Sequence, residues 1–341
     1  MASSIRDRAR RRLARLASLA LLGLSVGAAP AAAQDVDPLD TLTHLRRVAG
    51  RVLTPADTGM RPIPGAWVTL HRIGRDRAGP VDSMRTGRQG EYAFRYRTTV
   101  DDSATWTVST VYAGIAHFSS SFAEPEVAGE AGEIVVFDTT SAPVELHVRG
   151  RHFVVFAARG DEPRRILEVF ELENDGVTTA LSRGDTTPVW RVPLPASARN
   201  VTVDESSLPA GSTRVVRSEV RLHAPLTPGI HQVAVRYELP PSAFPFELRL
   251  RDEVDVLEVL VEEPFARVTA EGLEEVESAE SEGHRLRRFL ARHAHAGLRV
   301  RIELPSSARG RRAPAVAFIV GGTAVLMAAA LAAALRRPAT I

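Results

Sequence analysis

Short runs in which apolar and polar residues alternate with a period of two set the strongest limit on what this chain can fold into. Tyr92, Phe94 and Tyr96 alternate with Glu91, Ala93, Arg95 and Arg97, and Val144, Leu146 and Val148 with Glu145, His147 and Arg149. The pattern returns in Val233, Val235, Tyr237 and Leu239, and again in Val300, Ile302 and Leu304. Such a period puts apolar groups on one face of a strand and polar groups on the other. Turn signals separate the runs, among them Pro64-Gly65, Gln89-Gly90, Asn174-Asp175-Gly176 and Pro228-Gly229. Outside the two ends no long stretch carries a helical stripe. The expected fold class is therefore all-β, with two β-sandwich domains at 46–123 and 134–304, the second Ig-like or related. Ala123–Gly132 reads as a linker or long loop, and Glu271–Glu282, with six glutamates, as a solvated excursion between strands.

The two ends read differently. Arg6, Arg8, Arg10, Arg11, Arg12 and Arg15 precede the apolar stretch Leu16–Val26 and then Ala31-Ala32-Ala33. This is the layout of a secretory signal peptide over 1–33, cleaved after Ala33. Near the other end Ala315–Leu335 is an uncharged apolar run of 21 residues flanked by arginines. That length suits one helix crossing a hydrocarbon core of about 30 Å. The expected order is a short linker at 305–312, a transmembrane helix at 313–335 and a cytoplasmic tail at 336–341. The expected location is the cytoplasmic (inner) membrane, single-pass, with the ectodomain in the periplasm or outside the cell.

Charge and cysteine narrow the function. The chain carries a formal +2, but each end contributes +5, which leaves about −8 for residues 34–308. An acidic ectodomain is a poor nucleic-acid binder, because phosphate neutralisation needs clustered positive charge. There is no cysteine, which removes disulfides, thiolate nucleophiles and cysteine-ligated metal sites. All basic residues besides histidine are arginine.

Three segments resemble a known family. Val48-Ala-Gly-Arg-Val-Leu53, Ile63-Pro-Gly-Ala-Trp-Val-Thr-Leu70 and Thr86-Gly-Arg-Gln-Gly-Glu-Tyr-Ala-Phe94 are similar to the carboxypeptidase regulatory-like domain, a transthyretin-like sandwich. Gly65 and Gly90 fall where its turns want a positive φ. Gly87 stands where the family has Asp, and Gln89 where it often has Asn. The resemblance covers about 46–98 and reaches at most Phe122. It implies a noncatalytic module of an exported or envelope protein, and related folds bind carbohydrate. The whole layout also resembles bacterial membrane-anchored proteins, which implies, as an alternative, an accessory role in an envelope assembly system such as cytochrome c maturation.

No residue set carries a catalytic signature. His284, His293 and His295 form the best metal-like group, but no partner at a usual spacing completes a site, and Arg285, Arg287, Arg288 and Arg292 repel a cation. A metal-dependent hydrolase is accordingly the weakest reading, and no catalytic residue, cofactor or metal is expected. The Gly-x-Ser-x-Gly elbow and the Walker and dinucleotide loops are missing from the sequence. The candidate ligand or partner contacts are Trp67, Trp106, Phe244 and Phe246, with Tyr112 and Trp190 also notable. Trp67 falls opposite the Ala66–Val68–Leu70 face. Its plainer reading is cover for the second face of the sandwich or the domain junction; exposed, it would suit sugar stacking or a protein contact. The expected function is a binding or scaffold module at the cell envelope, with an envelope protein partner or a glycan, and no nucleic acid.

Overall fold

The computed structural model describes residues 43–99, 103–204, 208–209, 211–281 and 283–304. The predicted signal peptide, the linker at 305–312, the membrane helix at 313–335 and the tail at 336–341 lie outside the described residues. Among those described, no helix is long and apolar enough to cross a membrane, and the structure is strands joined by turns.

The first core is built by β1 (Thr43–Pro55), β2 (Met60–Pro62), β3 (Trp67–Ile73), β4 (Ala78–Arg85), β5 (Glu91–Thr99), β6 (Thr105–Tyr112), β7 (Ile115–Phe118), β8 (Glu126–Val127) and β9 (Ile134–Val135). One sheet runs β2-β1-β5, with β8 and β9 also on β1; the other runs β4-β3-β6-β7. Every second residue of β5 is buried, so Tyr92, Phe94 and Tyr96 face inward as the alternation requires. They meet Val48 and Val52 of β1, and Val68, Leu70, Trp106 and Val108 of the opposing sheet. Gly65 and Gly90 have φ of 69° and 72°, the left-handed turn conformation that favours glycine.

The stretch expected as a linker is held against this sandwich. β8 and β9 pair in parallel with β1, and Val127, Ile134 and Val136 are buried in the first core. The turn at Gly129–Gly132 reaches β1 because two glycines meet there: a Cβ on Gly50 would lie 1.8 Å from Gly132 O. The Tyr92 hydroxyl donates to Gly132 O, and Arg51 pairs with Glu133 at 2.7 Å. A turn-rich composition thus marked a tightly docked turn.

The second region comprises β10 (Thr139–Thr140), β11 (His147–Val155), β12 (Arg164–Asn174), β13 (Thr179–Ala180), β14 (Trp190–Pro193), β15 (Arg199–Asp204), β16 (Thr213–Val216), β17 (Glu219–Leu222), β18 (Gly229–Leu239), β19 (Phe246–Arg249), β20 (Val254–Val261), β21 (Arg267–Thr269), β22 (Glu274–Ser281), β23 (His284–Ala294) and β24 (Arg299–Glu303). A seven-stranded sheet runs β15-β18-β12-β11-β20-β23-β22, and two three-stranded sheets run β14-β17-β16 and β19-β24-β21. The small sheets supply Val192, Val220, Leu222, Phe246, Val300 and Ile302 to the core that Phe153, Phe170, Val235 and Leu257 form on the large one. On the opposite face of the large sheet Val154, Leu167, Val169, Leu260 and Leu286 form a smaller buried cluster.

The sandwiches expected from the alternation are built of antiparallel strands, and two features differ from that reading. The central pair β11 and β20 is parallel. Both strands are buried on both faces, the usual setting of parallel pairing, and the period of two is accordingly lost in them. The glutamate-rich excursion is largely an ordinary edge strand, β22, paired antiparallel with β23. Glu275 receives both Arg287 Nε and Nη2 at 2.8 Å, and charge along an edge discourages further pairing.

Gly50→Val is expected to destabilise the first sandwich by about 1–3 kcal/mol, the usual cost of overpacking. It should also open the backbone amide of Val136, bonded to Leu53 O at 2.8 Å, to hydrogen exchange. Unchanged melting and unchanged protection would show that the close approach of Gly50 and Gly132 does not hold the 126–136 segment in place.

Candidate functional site

The outer face of the sheet β4-β3-β6-β7 is the most exposed apolar surface the strands present. Since Val68 and Leu70 point inward, Trp67, Thr69, His71 and Ile73 point out. The register pairs Trp67 with Arg85, Thr69 with Ser83 and Ser109, and Ser109 with Phe118. Pairing Val68 with Thr110 sets Val111 beside Trp67. Trp67 is 54% exposed, Phe118 59% and Val111 68%, while Ile73 and Val81 add further apolar surface. The Arg85 guanidinium lies 5.3 Å from the Trp67 ring centroid, a cation–π distance. Hydroxyls flank the rings, and His71 Nε2 lies 2.8 Å from Ser109 Oγ. The result is a flat surface of one indole, one phenyl ring and aliphatic groups with polar atoms between them. It offers contact area rather than a reaction centre.

The other candidate aromatics are placed differently. Trp106 is 2% exposed, with its ring 4.3 Å from that of Tyr96, so it belongs to the first core and not to a contact surface. Phe246 is buried and stacks on Phe153 at 5.5 Å, which removes it as a contact tip. Phe244 is half-buried, with the Arg164 guanidinium 5.3 Å from its ring centroid. Only Trp67 of the four stands out into solvent. Phe118 and Val111 were missed, although Phe118 lies one residue after the inward-facing His117 and so had to point out.

The histidines do not converge. His284 opens β23 and bonds Glu262 Oε1 at 2.5 Å, while His293 lies near the far end of that strand. Nine residues of extended chain separate the two by ~30 Å. Among the described residues no group of three His, Cys, Asp or Glu could hold a metal ion.

Titratable groups cluster instead in the seven-stranded sheet. His152 of β11 sits opposite Glu258 of β20, with Nδ1 2.6 Å from Glu258 Oε2. Its Nε2 faces Glu171 Oε1 at 3.8 Å, an ion-pair distance rather than a hydrogen bond. Burial by itself would lower the His152 pKa, but the carboxylates of Glu171 and Glu258 outweigh it and raise the value to about 9. Burial likewise opposes ionisation of Glu258, and His152 and Arg288 overcome it, so that carboxyl is held below its ordinary range. On the other face of the sheet Arg151 Nε and Nη2 bond Glu168 Oε2 at 3.1 and 2.7 Å, and the Tyr237 hydroxyl donates to Glu168 Oε1 at 2.5 Å. Burial and the Glu168 charge push the Tyr237 phenol well above its usual value, so it stays a donor. His152 Nε2 and Glu171 Oε2 have no hydrogen-bond partner, but each charge has an opposite charge within 4 Å, which suits a structural role.

No protein-family model matches this chain, and no curated protein matches it. Among solved structures, the major pilin subunit of Bacillus cereus is similar over 76% of this chain and 85% of its own, at 8% identity and a TM-score of 0.19. A similarity that low carries no argument about fold or function.

Trp67→Ser is expected to change stability by no more than about 0.5 kcal/mol, as an exposed substitution should. Trp106→Ala should cost about 3–5 kcal/mol. Thermal unfolding of the two variants checks this, and equal losses would contradict the assignment of one indole to the surface and the other to the core.

For His152 the folded pKa exceeds the unfolded one, so its stabilisation is complete below about pH 6.5 and is lost as pH rises through about 9. Urea unfolding between those pH values should show a loss on the order of 3 kcal/mol. His152→Gln should be less stable at pH 6 and nearly flat over the same window. A flat wild-type profile would contradict a protonated His152.

Proposed function

We propose that the chain is a noncatalytic binding or scaffold module of the cell envelope, carrying a transthyretin-like first sandwich of the carboxypeptidase regulatory-like type and held by a single C-terminal membrane span. In this reading the outer face of β3, β4, β6 and β7 is where it meets a protein partner. One observation supports the site above the others: Trp67, Val111 and Phe118 stand more than half exposed on adjacent strands of one flat face. An isolated exposed apolar residue needs no explanation, but a contiguous set marks a contact surface. The arginine-rich start, the Ala31-Ala32-Ala33 site and the apolar run 315–335 support the envelope location.

Sugar recognition is the second reading, favoured by the exposed Trp67 ring beside the hydroxyls of Thr69, Ser83 and Ser109. The aliphatic share of the face weighs toward protein, because a bound glycan needs dense polar contacts.

Affinity purification of the tagged, detergent-solubilised full chain tests the proposal. A stoichiometric membrane-associated protein should co-purify with the wild type and be lost with the double variant Trp67→Ser, Phe118→Ser. Retention of that partner by the double variant would reject this face. Absence of a protein partner, together with sedimentation on insoluble peptidoglycan that Trp67→Ser alone abolishes, would reject the protein reading in favour of sugar.

A further inference from the structure

A groove of about 530 Å³ opens in the second region, lined by none of the residues of the first sandwich. One wall is β14 with the approach Thr187–Val189, and the other is the extended chain Val144–Val148; the turn at Arg251 and Asp252 closes one end. Three features point to what it holds.

The first is backbone. Among the described residues β14 pairs only with β17; Leu194 N donates to Ser218 O, so Trp190 and Val192 turn their peptide groups to β17, and Arg191 and Pro193 turn theirs to the open edge, where Pro193 has no N–H to give. Across the groove Pro143–Leu146 runs beside it, and among the described residues its backbone joins no sheet. Val144 and Leu146 turn their side chains into the core while their peptide groups stay unused. The open edge of β14 thus offers the Arg191 N–H and the Arg191 and Pro193 carbonyls to a short added strand, and the proline stops a longer ladder.

The second is charge. Among the described residues Arg251 makes no hydrogen bond or ion pair. Arg191 lies 3.7 Å from Glu219, whose carboxylate is already held by Arg221 at 2.7 Å. The lining carries Arg191 and Arg251 against Asp252, a net of one positive charge. A narrow recess of about 20 Å³ continues inward to Arg151, whose charge Glu168 already meets.

The third is a fixed ring. Trp190 lines both the groove and the recess, and it is held edge-on to Phe170 with centroids 4.9 Å apart. It offers a rigid apolar wall beside the arginines.

We propose that this groove binds an extended acidic segment of a partner protein by strand addition to the open edge of β14, with a carboxylate received by Arg251 and Arg191 and an apolar side chain set against Trp190. Since Arg191 is the N–H donor that β14 turns to this edge and Pro193 adds a carbonyl alone, the paired segment is limited to about two or three residues. Because the site is separate from the outer face of the first sandwich, it stands or falls independently of the function proposed above.

The test uses the full-length chain and a blocked, fluorescently labelled peptide, acetyl-Val-Glu-Val-Glu-Val-amide, followed by polarisation. The glutamate peptide should bind, and its glutamine counterpart should bind at least about tenfold more weakly, as loss of a charge-assisted contact implies. Arg251→Gln, at an exposed position that should not disturb folding, should weaken the glutamate peptide by a similar factor. Methylating the central amide nitrogens of the peptide should abolish binding, because a ladder needs those donors. Trp67→Ser should leave binding unchanged. Equal binding of the two peptides, an unaffected Arg251→Gln variant or tolerance of the methylated peptide would each overturn the proposal. So would no binding up to millimolar peptide, or binding of polygalacturonate in place of the peptide.

Discussion

The pairing of His152 with Glu258 is the contact on which the second region depends. It joins residues 106 positions apart in the chain, one on each of the two central parallel strands. Both side chains are almost wholly buried. A buried charge that loses its partner costs several kcal/mol, so the pair penalises any other alignment of these strands. A one-residue slip of β20 would turn Glu258 to the opposite face and leave His152 without it. Arg288 on β23 and Gln232 on β18 reach the same polar group, so β11 is tied to β12, β18, β20 and β23 at once. On the opposite face Arg151, Glu168 and Tyr237 form a second compensated set. The sheet buries Arg151, His152, Arg164, Glu168, Glu171, Tyr237 and Glu258, and of their polar atoms His152 Nε2, Arg164 Nε and Glu171 Oε2 have no hydrogen-bond partner.

The first sandwich is built on a different economy. Its core is apolar and aromatic, and its closest constraint is steric, where Gly50 and Gly132 let a turn lie against β1. With the inner faces of both sheets occupied, Trp67 of β3 and Val111 of β6 fall on the outer face and, among the described residues, stay more than half exposed. That is why the exposed indole and phenyl ring concentrate there. A surface made this way fits recognition by contact area, and the groove beside Trp190 fits recognition by backbone pairing and charge. The two would serve a scaffold that joins separate partners.

Much of the fold was legible wherever one face of a strand is solvated. β5, β18 and β24 follow the alternation closely, and the turn glycines Gly65 and Gly90 adopt the φ expected of them. Alternation fails in β11, β12 and β20, because strands covered on both sides need not alternate. The candidate surface was half legible. The parity of Val68 and Leu70 already turned Trp67 away from the core. The same reasoning applied to Trp106 and Val108 places that indole inside, and the structure does so. Phe246 follows the parity of Leu248 in the same way. The polar group around His152 left no local signal, because its members come from strands far apart in sequence.

The sequence by itself determined the all-β class, the inward face of each amphipathic strand, the turn positions and the lack of any cysteine-based site, since all of these follow from local chemistry. Tertiary structure decided the parallel pairing of β11 with β20, the docking of 126–136 onto β1, the answering of buried charges and the groove between β14 and Val144–Val148. Those features arise from contacts between residues distant in sequence, and their free energy exists only when several strands are in register together.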